Sequence, residues 1–276
     1  MCGITGIINI NSAEPVNLTE LQKMANKIKH RGPDDEGTFL NPNKKVGFGF
    51  RRLSIIDIAN GAQPMSTDDK KTTIVFNGEI YNYQELRSTL QSAGYKFKTN
   101  SDTEVIIQGY RQWGFDVVQK LKGMFAFAIW DENKKIMFLA RDRLGIKPLY
   151  YHNTKSFIFS SEIKSLLEHT QIKKSLNEES LYHYLTIAAT PSPSTMFKNI
   201  YKLEPAHYIT IDLNGKLKKV KYWEPHLDKN IINMNKFDII DKLRALLRNS
   251  IKIRTMSEVP FGVFLSGGVD STLNVA

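Results

Sequence analysis

Apolar positions along the chain change period several times, and each change marks an element. Residues 3–10 form a β-rich run. Over residues 18–29 the apolar residues Leu21, Met24, Ala25 and Ile28 fall on one helix face, with Asn17 or Thr19 placed to cap it. Arg31-Gly32-Pro33-Asp34-Asp35 reads as a turn, followed by short β-like runs at 46–50, 53–56 and 73–76. Residues 83–93 read as a helix closed by Gly94. Residues 101–113 read as another, with Ser101 three positions before Glu104 in a capping-box pattern. Strands are expected at 124–130, 136–140, 149–151 and 157–160, and a helix at 177–187.

Strands come in consecutive pairs and so do helices. That order is not the strict alternation of a doubly wound fold and points to α+β, with stacked sheets and helices, over residues 1–190. Pro191-Ser192-Pro193-Ser194 marks a boundary, and a β-rich connector is expected over 191–235. A third region, 236–276, opens with a long amphipathic helix at 237–255. Ile239, Ile240, Leu243, Leu246, Leu247 and Ile251 are its apolar stripe. After Pro260 a buried strand at 261–265 is expected to enter a glycine-rich turn.

Composition narrows the class. The chain has 276 residues, 41% hydrophobic and 24% charged, enough for two domains with a proper core. No apolar run approaches the ~20 residues that cross a bilayer, and the N-terminus lacks a signal-peptide pattern. With one cysteine there is no internal disulfide framework, and a cytoplasmic location is expected. The net charge of +10 allows a polyanionic partner. The basic residues are spread along the chain, however, and accompany no binding module, so no nucleic-acid partner and no membrane partner are expected.

That one cysteine, Cys2, directly follows Met1. If Met1 is removed, thiol and α-amine share one residue, a nucleophile with a built-in base. Asn77-Gly78-Glu79 follows the apolar run Ile74-Val75-Phe76. Asn-Gly at a strand end is ordinarily a turn; its alternative is an oxyanion hole, built from a side-chain amide and a closely approaching backbone N–H. Arg52 is suited to hold a carboxylate through two parallel hydrogen bonds, or else forms a surface ion pair. Asp102 opens a helix, as a cap or as an acceptor for an ammonium group. Together they describe a site for an amino acid bearing a side-chain amide.

Six stretches in order carry a resemblance. They are Met1-Cys2-Gly3-Ile4, His30-Arg31-Gly32-Pro33-Asp34, Arg52-Leu53-Ser54-Ile55, Asn77-Gly78-Glu79-Ile80-Tyr81-Asn82, Ser101-Asp102-Thr103-Glu104 and the run from Arg141 through Lys147 to Tyr150. The chain resembles class II glutamine amidotransferases, the N-terminal-nucleophile hydrolases, and among them glutamine-dependent asparagine synthetases. The resemblance implies a four-layer αββα sandwich in residues 1–190. It implies Cys2 as nucleophile, Asn77 and Gly78 as oxyanion hole, and Arg52, Glu79 and Asp102 holding glutamine with backbone help from Leu53, Ile55 and Gly78. Phe50 departs from the family, which often has histidine just before this arginine pair.

The second constellation is Leu265-Ser266-Gly267-Gly268-Val269-Asp270-Ser271. A strand, a glycine turn and a helix start make an anion site, without the Walker lysine. It resembles the pyrophosphate loop of ATP pyrophosphatases, which implies ATP binding by Leu265, Ser266, Gly267, Gly268, Asp270 and Ser271. ATP and Mg²⁺ are then needed for synthesis, and no cofactor for glutamine hydrolysis. Residues 236–276 are expected to be the truncated start of an α/β nucleotide-binding domain, loosely packed beyond about 235. The resemblance implies asparagine synthesis from glutamine, ATP and aspartate, and leaves room for a homodimer. The alternatives are amidation of another carboxylate, such as a sugar uronate, and a fragment without turnover.

Overall fold

Large apolar residues occupy consecutive positions in several strands because both strand faces are covered. The computed structural model describes residues 1–226 and 234–276, and the chain divides into two units, Met1–Glu224 and Pro225–Ala276. Residues 227–233, inside the expected connector, lie outside the described residues.

In the first unit β1 (Gly3–Asn9) leads to α1 (Leu18–Lys27), β2 (Asp35–Leu40), β3 (Val46–Arg52), β4 (Met65–Ser66) and β5 (Thr72–Ile80). Helices α2 (Tyr83–Ser92), α3 (Asp102–Trp113) and α4 (Val117–Lys120) precede β6 (Gly123–Asp131), β7 (Ile136–Arg141), β8 (Tyr150–Asn153) and β9 (Ser156–Ser160). Then come α5 (Ile163–Leu166), α6 (Glu178–Ile187), β10 (Tyr201–Lys202), β11 (His207–Asp212) and β12 (Leu217–Lys221). The strands form two six-stranded sheets, ordered β10-β8-β9-β1-β3-β2 and β12-β11-β7-β6-β5-β4. The N-terminal strand β1 is central, paired antiparallel with β3 and β9.

Side-chain alternation sorts the core into layers. Ile4, Ile8, Val46, Phe48 and Phe50 of one sheet pack with Val75, Ala126, Ala128, Trp130 and Leu139 of the other. The opposite-parity residues Ile74, Phe76, Phe125, Phe127 and Phe138 face α2, α3 and α4 through Leu86, Leu90, Ile106, Tyr110 and Val118. Ile7 and Ile158 pack beneath Leu21 and Met24 of α1 and Leu166 of α5. The stack is helices, sheet, sheet, helices. No helix among the described residues is long and apolar enough to cross a membrane.

Four local expectations are corrected. Asn77-Gly78 does not end a strand: β5 runs on to Ile80, with Asn77 opposite Ala126 and Gly78 opposite Phe125. Residues 53–56 are not a strand; the Arg52 guanidinium donates to the Ile56, Asp57 and Ile58 carbonyls and folds the chain back. The capping box at α3 is only half formed. Ser101 Oγ accepts from Thr103 N at 3.1 Å, while Glu104 reaches past Ser101 to the backbone N–H groups of Lys98 and Thr99. Within the expected connector, β10 joins the first sheet, and β11 and β12 extend the second.

In the second unit α7 (Lys236–Lys252) is capped by Asn235, whose Oδ1 accepts from Phe237 N and Asp238 N. It has no buried residue, and Phe237 is 78% exposed. Residues 261–265 form no strand, and Phe264 is 99% exposed. A strand needs a partner for its backbone groups, and none is paired there. The unit ends in α8 (Val269–Val275).

Candidate active site

Cys2 stands one residue ahead of β1, where the two sheets open at one end. Its position is fixed from several sides. Gly3 pairs with Arg51 of β3, and Arg31 Nε donates to the Cys2 carbonyl at 2.9 Å. Arg31 is held in turn by Glu162 Oε1 at 2.9 Å, a carboxylate that His30 and Lys164 also contact. Burial alone would raise the Glu162 pKa, but hydrogen bonds from Arg31, His30 and Lys164 hold it down at about 2. The Cys2 thiol lies against the loop after β3, with Leu53 N donating to Sγ at 3.4 Å and Sγ to Leu53 O at 3.6 Å. Burial pushes the thiol up; the Leu53 hydrogen bond, the chain's α-amine and Arg52 oppose that shift. The α-amine belongs to Met1, 54% exposed, and burial lowers its pKa.

Facing Cys2 from the other sheet is β5. Asn77 is fully buried, and neither its Nδ2 nor its Oδ1 has a hydrogen-bond partner among the described residues. A buried amide left without partners costs roughly 1–3 kcal/mol unless a ligand satisfies it. At Gly78 a Cβ would lie 2.1 Å from the Met124 carbonyl oxygen, so only glycine lets β5 and β6 close here. Burial pushes the Glu79 carboxyl up. Asp102, in the first turn of α3, accepts from Ile80 N at 3.0 Å through Oδ2. Burial, with the Glu79 charge nearby, pushes Asp102 up to about 7, although the Ile80 hydrogen bond opposes it.

All eight residues singled out for this site, Cys2, Arg52, Leu53, Ile55, Asn77, Gly78, Glu79 and Asp102, line one cavity of about 100 Å³, open to solvent on one side. Three of the five Arg52 N–H groups are committed to the loop, which leaves two facing elsewhere. Among the lining residues that sequence reasoning did not single out, two polar ones stand out. Gln63 ties the loop to both partners, accepting from Phe76 N at 2.6 Å and donating to Thr103 Oγ1 at 3.2 Å. Nothing in the residues around Gln63 signals this. Lys147, only 4% exposed, also lines the cavity. It lies within the Arg141–Tyr150 stretch, which carries the family resemblance without marking this lysine as a site residue.

The glycine loop lies in the second unit and is described by itself. Ser266 Oγ pairs with Ser271 Oγ at 3.0 Å, and Ser271 Oγ donates to Gly268 O. Gly267 has φ of +79° and open space where a Cβ would stand. No group of three or more metal-ligating side chains gathers among the described residues. Two hydroxyls, successive backbone N–H groups and the single carboxylate of Asp270 are a donor set that fits a phosphate with a divalent counter-ion.

An N-terminal strand central in one of two stacked antiparallel sheets, preceded by a cysteine whose cavity a buried amide also lines, has structural counterparts. The structure of glutamine phosphoribosylpyrophosphate amidotransferase from B. subtilis, with ADP and GMP, superposes with a TM-score of 0.55 at 20% identity, over 81% of this chain and 50% of that one. A second, titled as the allosteric regulatory enzyme of purine biosynthesis, gives 0.58 at 19%, over 81% and 50%. At that identity they establish the fold, that of an N-terminal-nucleophile hydrolase. Residues 1–223 match the glutamine amidotransferase domain, and the chain belongs to that family. Residues 242–276 match asparagine synthase. Asparagine synthetase [glutamine-hydrolyzing] 1 of Bacillus subtilis is 41% identical over 100% of this chain and 43% of its own length. A putative asparagine synthetase [glutamine-hydrolyzing] 2 of Methanocaldococcus jannaschii is 41% identical over 99% and 56%. The chain thus spans about half the length of these curated relatives.

Proposed function

We propose that this chain hydrolyses glutamine through Cys2 once Met1 is removed, and that the ammonia serves ATP-dependent amidation of aspartate to asparagine in the longer protein. The observation that carries the reading is the buried Asn77 amide, unpartnered and facing the cavity that holds the thiol. The α-amine of Cys2 takes the thiol proton, and Sγ attacks the glutamine carboxamide carbon. Asn77 Nδ2 and the Gly78 N–H donate to the oxygen as it gains charge. The C–N bond breaks, the ammonium returns its proton to the leaving nitrogen, and ammonia departs. Water then hydrolyses the thioester to glutamate and free thiol. The Arg52 guanidinium supplies the positive charge for the α-carboxylate, while Asp102 and Glu79 suit the α-ammonium. Leu53 and Ile55 line the cavity beside them and contribute backbone groups.

In the same proposal Leu265, Ser266, Gly267, Gly268 and Ser271 would hold the phosphates of ATP, and Asp270 would hold the Mg²⁺ that offsets their charge. ATP there supplies activation of the acceptor carboxylate by adenylation. The match of residues 242–276 to asparagine synthase and the donor set of the loop support this.

The test is glutamate release from glutamine by the purified chain, with intact mass reporting Met1. Cys2→Ala is expected to abolish release, and Asn77→Ala to lower kcat by roughly 10²–10³-fold. Release by Cys2→Ala at the unmodified rate would sink the proposal.

A further inference from the structure

The Arg141–Tyr150 stretch is a clamp with one projecting charge. Asp142, 1% exposed, accepts four backbone N–H groups: Leu144 and Ile146 through Oδ1, Phe125 and Lys147 through Oδ2, at 2.9–3.1 Å. Arg141 closes the loop from the other side, donating to the carbonyls of Gly145, Lys147 and Leu203 at 2.6–2.7 Å. Gly145 makes the turn at φ +68°. The N–H groups of Leu144, Ile146 and Lys147 and the carbonyls of Gly145 and Lys147 are therefore spent on holding the loop in place.

The side chain so delivered is unlike the other buried cations of the site. Arg31 and Arg52 are hydrogen-bonded to backbone or carboxylate. Lys147 is 4% exposed and lines the cavity with Cys2, yet its ammonium makes no hydrogen bond or ion pair among the described residues. Its Nζ is not fully enclosed, so the ammonium opens onto the cavity rather than into the packed core. We propose that Lys147 is a further functional residue of the glutamine site, its clamped ammonium supplying the positive charge that favours the thiolate of Cys2 and the neutral form of the α-amine base.

The surrounding charges bear on this from every side. Glu79 of β5 and Asp142 of the clamp favour the charged lysine; Arg31, from the turn after α1, disfavours it. Arg52 of β3 favours the Cys2 thiolate and Asp102 of α3 opposes it, while Cys2 in turn favours the charged form of Lys147. Burial lowers the Lys147 pKa, and Lys147 and Arg31 both lower that of the Met1 α-amine, which stands one residue from Cys2. A positive charge beside thiol and amine depresses both pKa values, so both steps of nucleophile activation gain from it.

Lys147 takes its catalytic meaning from the glutaminase proposal, on which this assignment rests, but its electrostatic effect can be read without turnover. Cys2 is the only cysteine of the chain, so the rate of its carbamidomethylation by iodoacetamide, followed by mass against pH, reports thiolate formation directly. The full chain is compared with Lys147→Met, Lys147→Gln and Lys147→Arg, each checked for a native melting transition. The neutral variants are expected to raise the alkylation midpoint by ~0.5–1 pH unit, and the arginine variant to stay within ~0.3 of the unmodified chain. Unchanged midpoints in Met and Gln would overturn the assignment. A rise in all three alike would overturn it too, since fit and not charge would then set the midpoint. If the midpoints move as expected while no variant or parent releases glutamate, the glutaminase proposal fails and the charge assignment stands.

Discussion

A carboxyl group that titrates near 7 keeps its proton through most of the acid range, and Asp102 is such a group. Its pKa in the fold lies above the ordinary 3.8, so between those values the native state holds a proton that the unfolded chain has lost. Its contribution therefore falls as pH rises from about 4 to about 7 and is constant beyond both limits. Asp102→Asn removes that slope while its amide oxygen keeps the Ile80 hydrogen bond. It is expected to unfold at higher urea than the parent at pH 8, by on the order of 2–4 kcal/mol, with the gap closing towards pH 4. Parallel curves at every pH would show that Asp102 is ionised in the fold at neutral pH. Such destabilisation suits a group kept for an ammonium ligand. At this scale much was legible beforehand. Cys2, Asn77 and Asp102 each pair a reactive side chain with a sequence context that weak packing arguments explain badly. Lys147 and Gln63 were not legible as site residues, because a single lysine or glutamine acquires its direction only from the loop that carries it.

Among elements, the clamp after β7 shows how much backbone one side chain organises. Removing the Asp142 carboxylate strands the four N–H groups it accepts, in a setting where the residue is 1% exposed. Asp142→Ala is expected to cost ~3–5 kcal/mol, read as a lower melting temperature, with Asp142→Asn milder because one oxygen remains. A melting temperature equal to the parent's would mean that the loop finds other acceptors. The strand β5 carries the complementary lesson. Asn-Gly ordinarily closes a hairpin, and from sequence the strand seemed to end there. Pairing with β6 continues through Gly123, because a glycine at 78 admits the Met124 carbonyl to within a distance that any side chain forbids. Long-range pairing of that kind overrides local turn preference, and no window of a few residues contains it.

For the whole molecule, the layered sandwich and the second unit differ in what they bury. Phenylalanines 48, 125, 127, 138, 157 and 159 are fully buried in the first unit, whereas α7 buries nothing along its 17 residues. Protease susceptibility follows the cost of local opening. Trypsin is expected to cut first among the lysines and arginines of 236–254 and to leave a resistant product close to 1–224. A tail that survives as long as the sandwich would contradict this. The α+β class was legible from paired strands and paired helices. The assignment of β11 and β12 to the second sheet was not, since the Pro-Ser-Pro-Ser run at 191–194 looks like a boundary from sequence alone.

The central place of β1 also sets a schedule for synthesis. One neighbour, β3, is complete at residue 52, but the other, β9, ends at residue 160. At roughly 5–20 residues per second, the first strand is translated about 8 to 30 s before its last partner. Throughout that interval Met1 and Cys2 lie on a nascent chain with no cavity around them, open to any ribosome-associated aminopeptidase. The cysteine is thus exposed to processing before the pocket that shelters it exists.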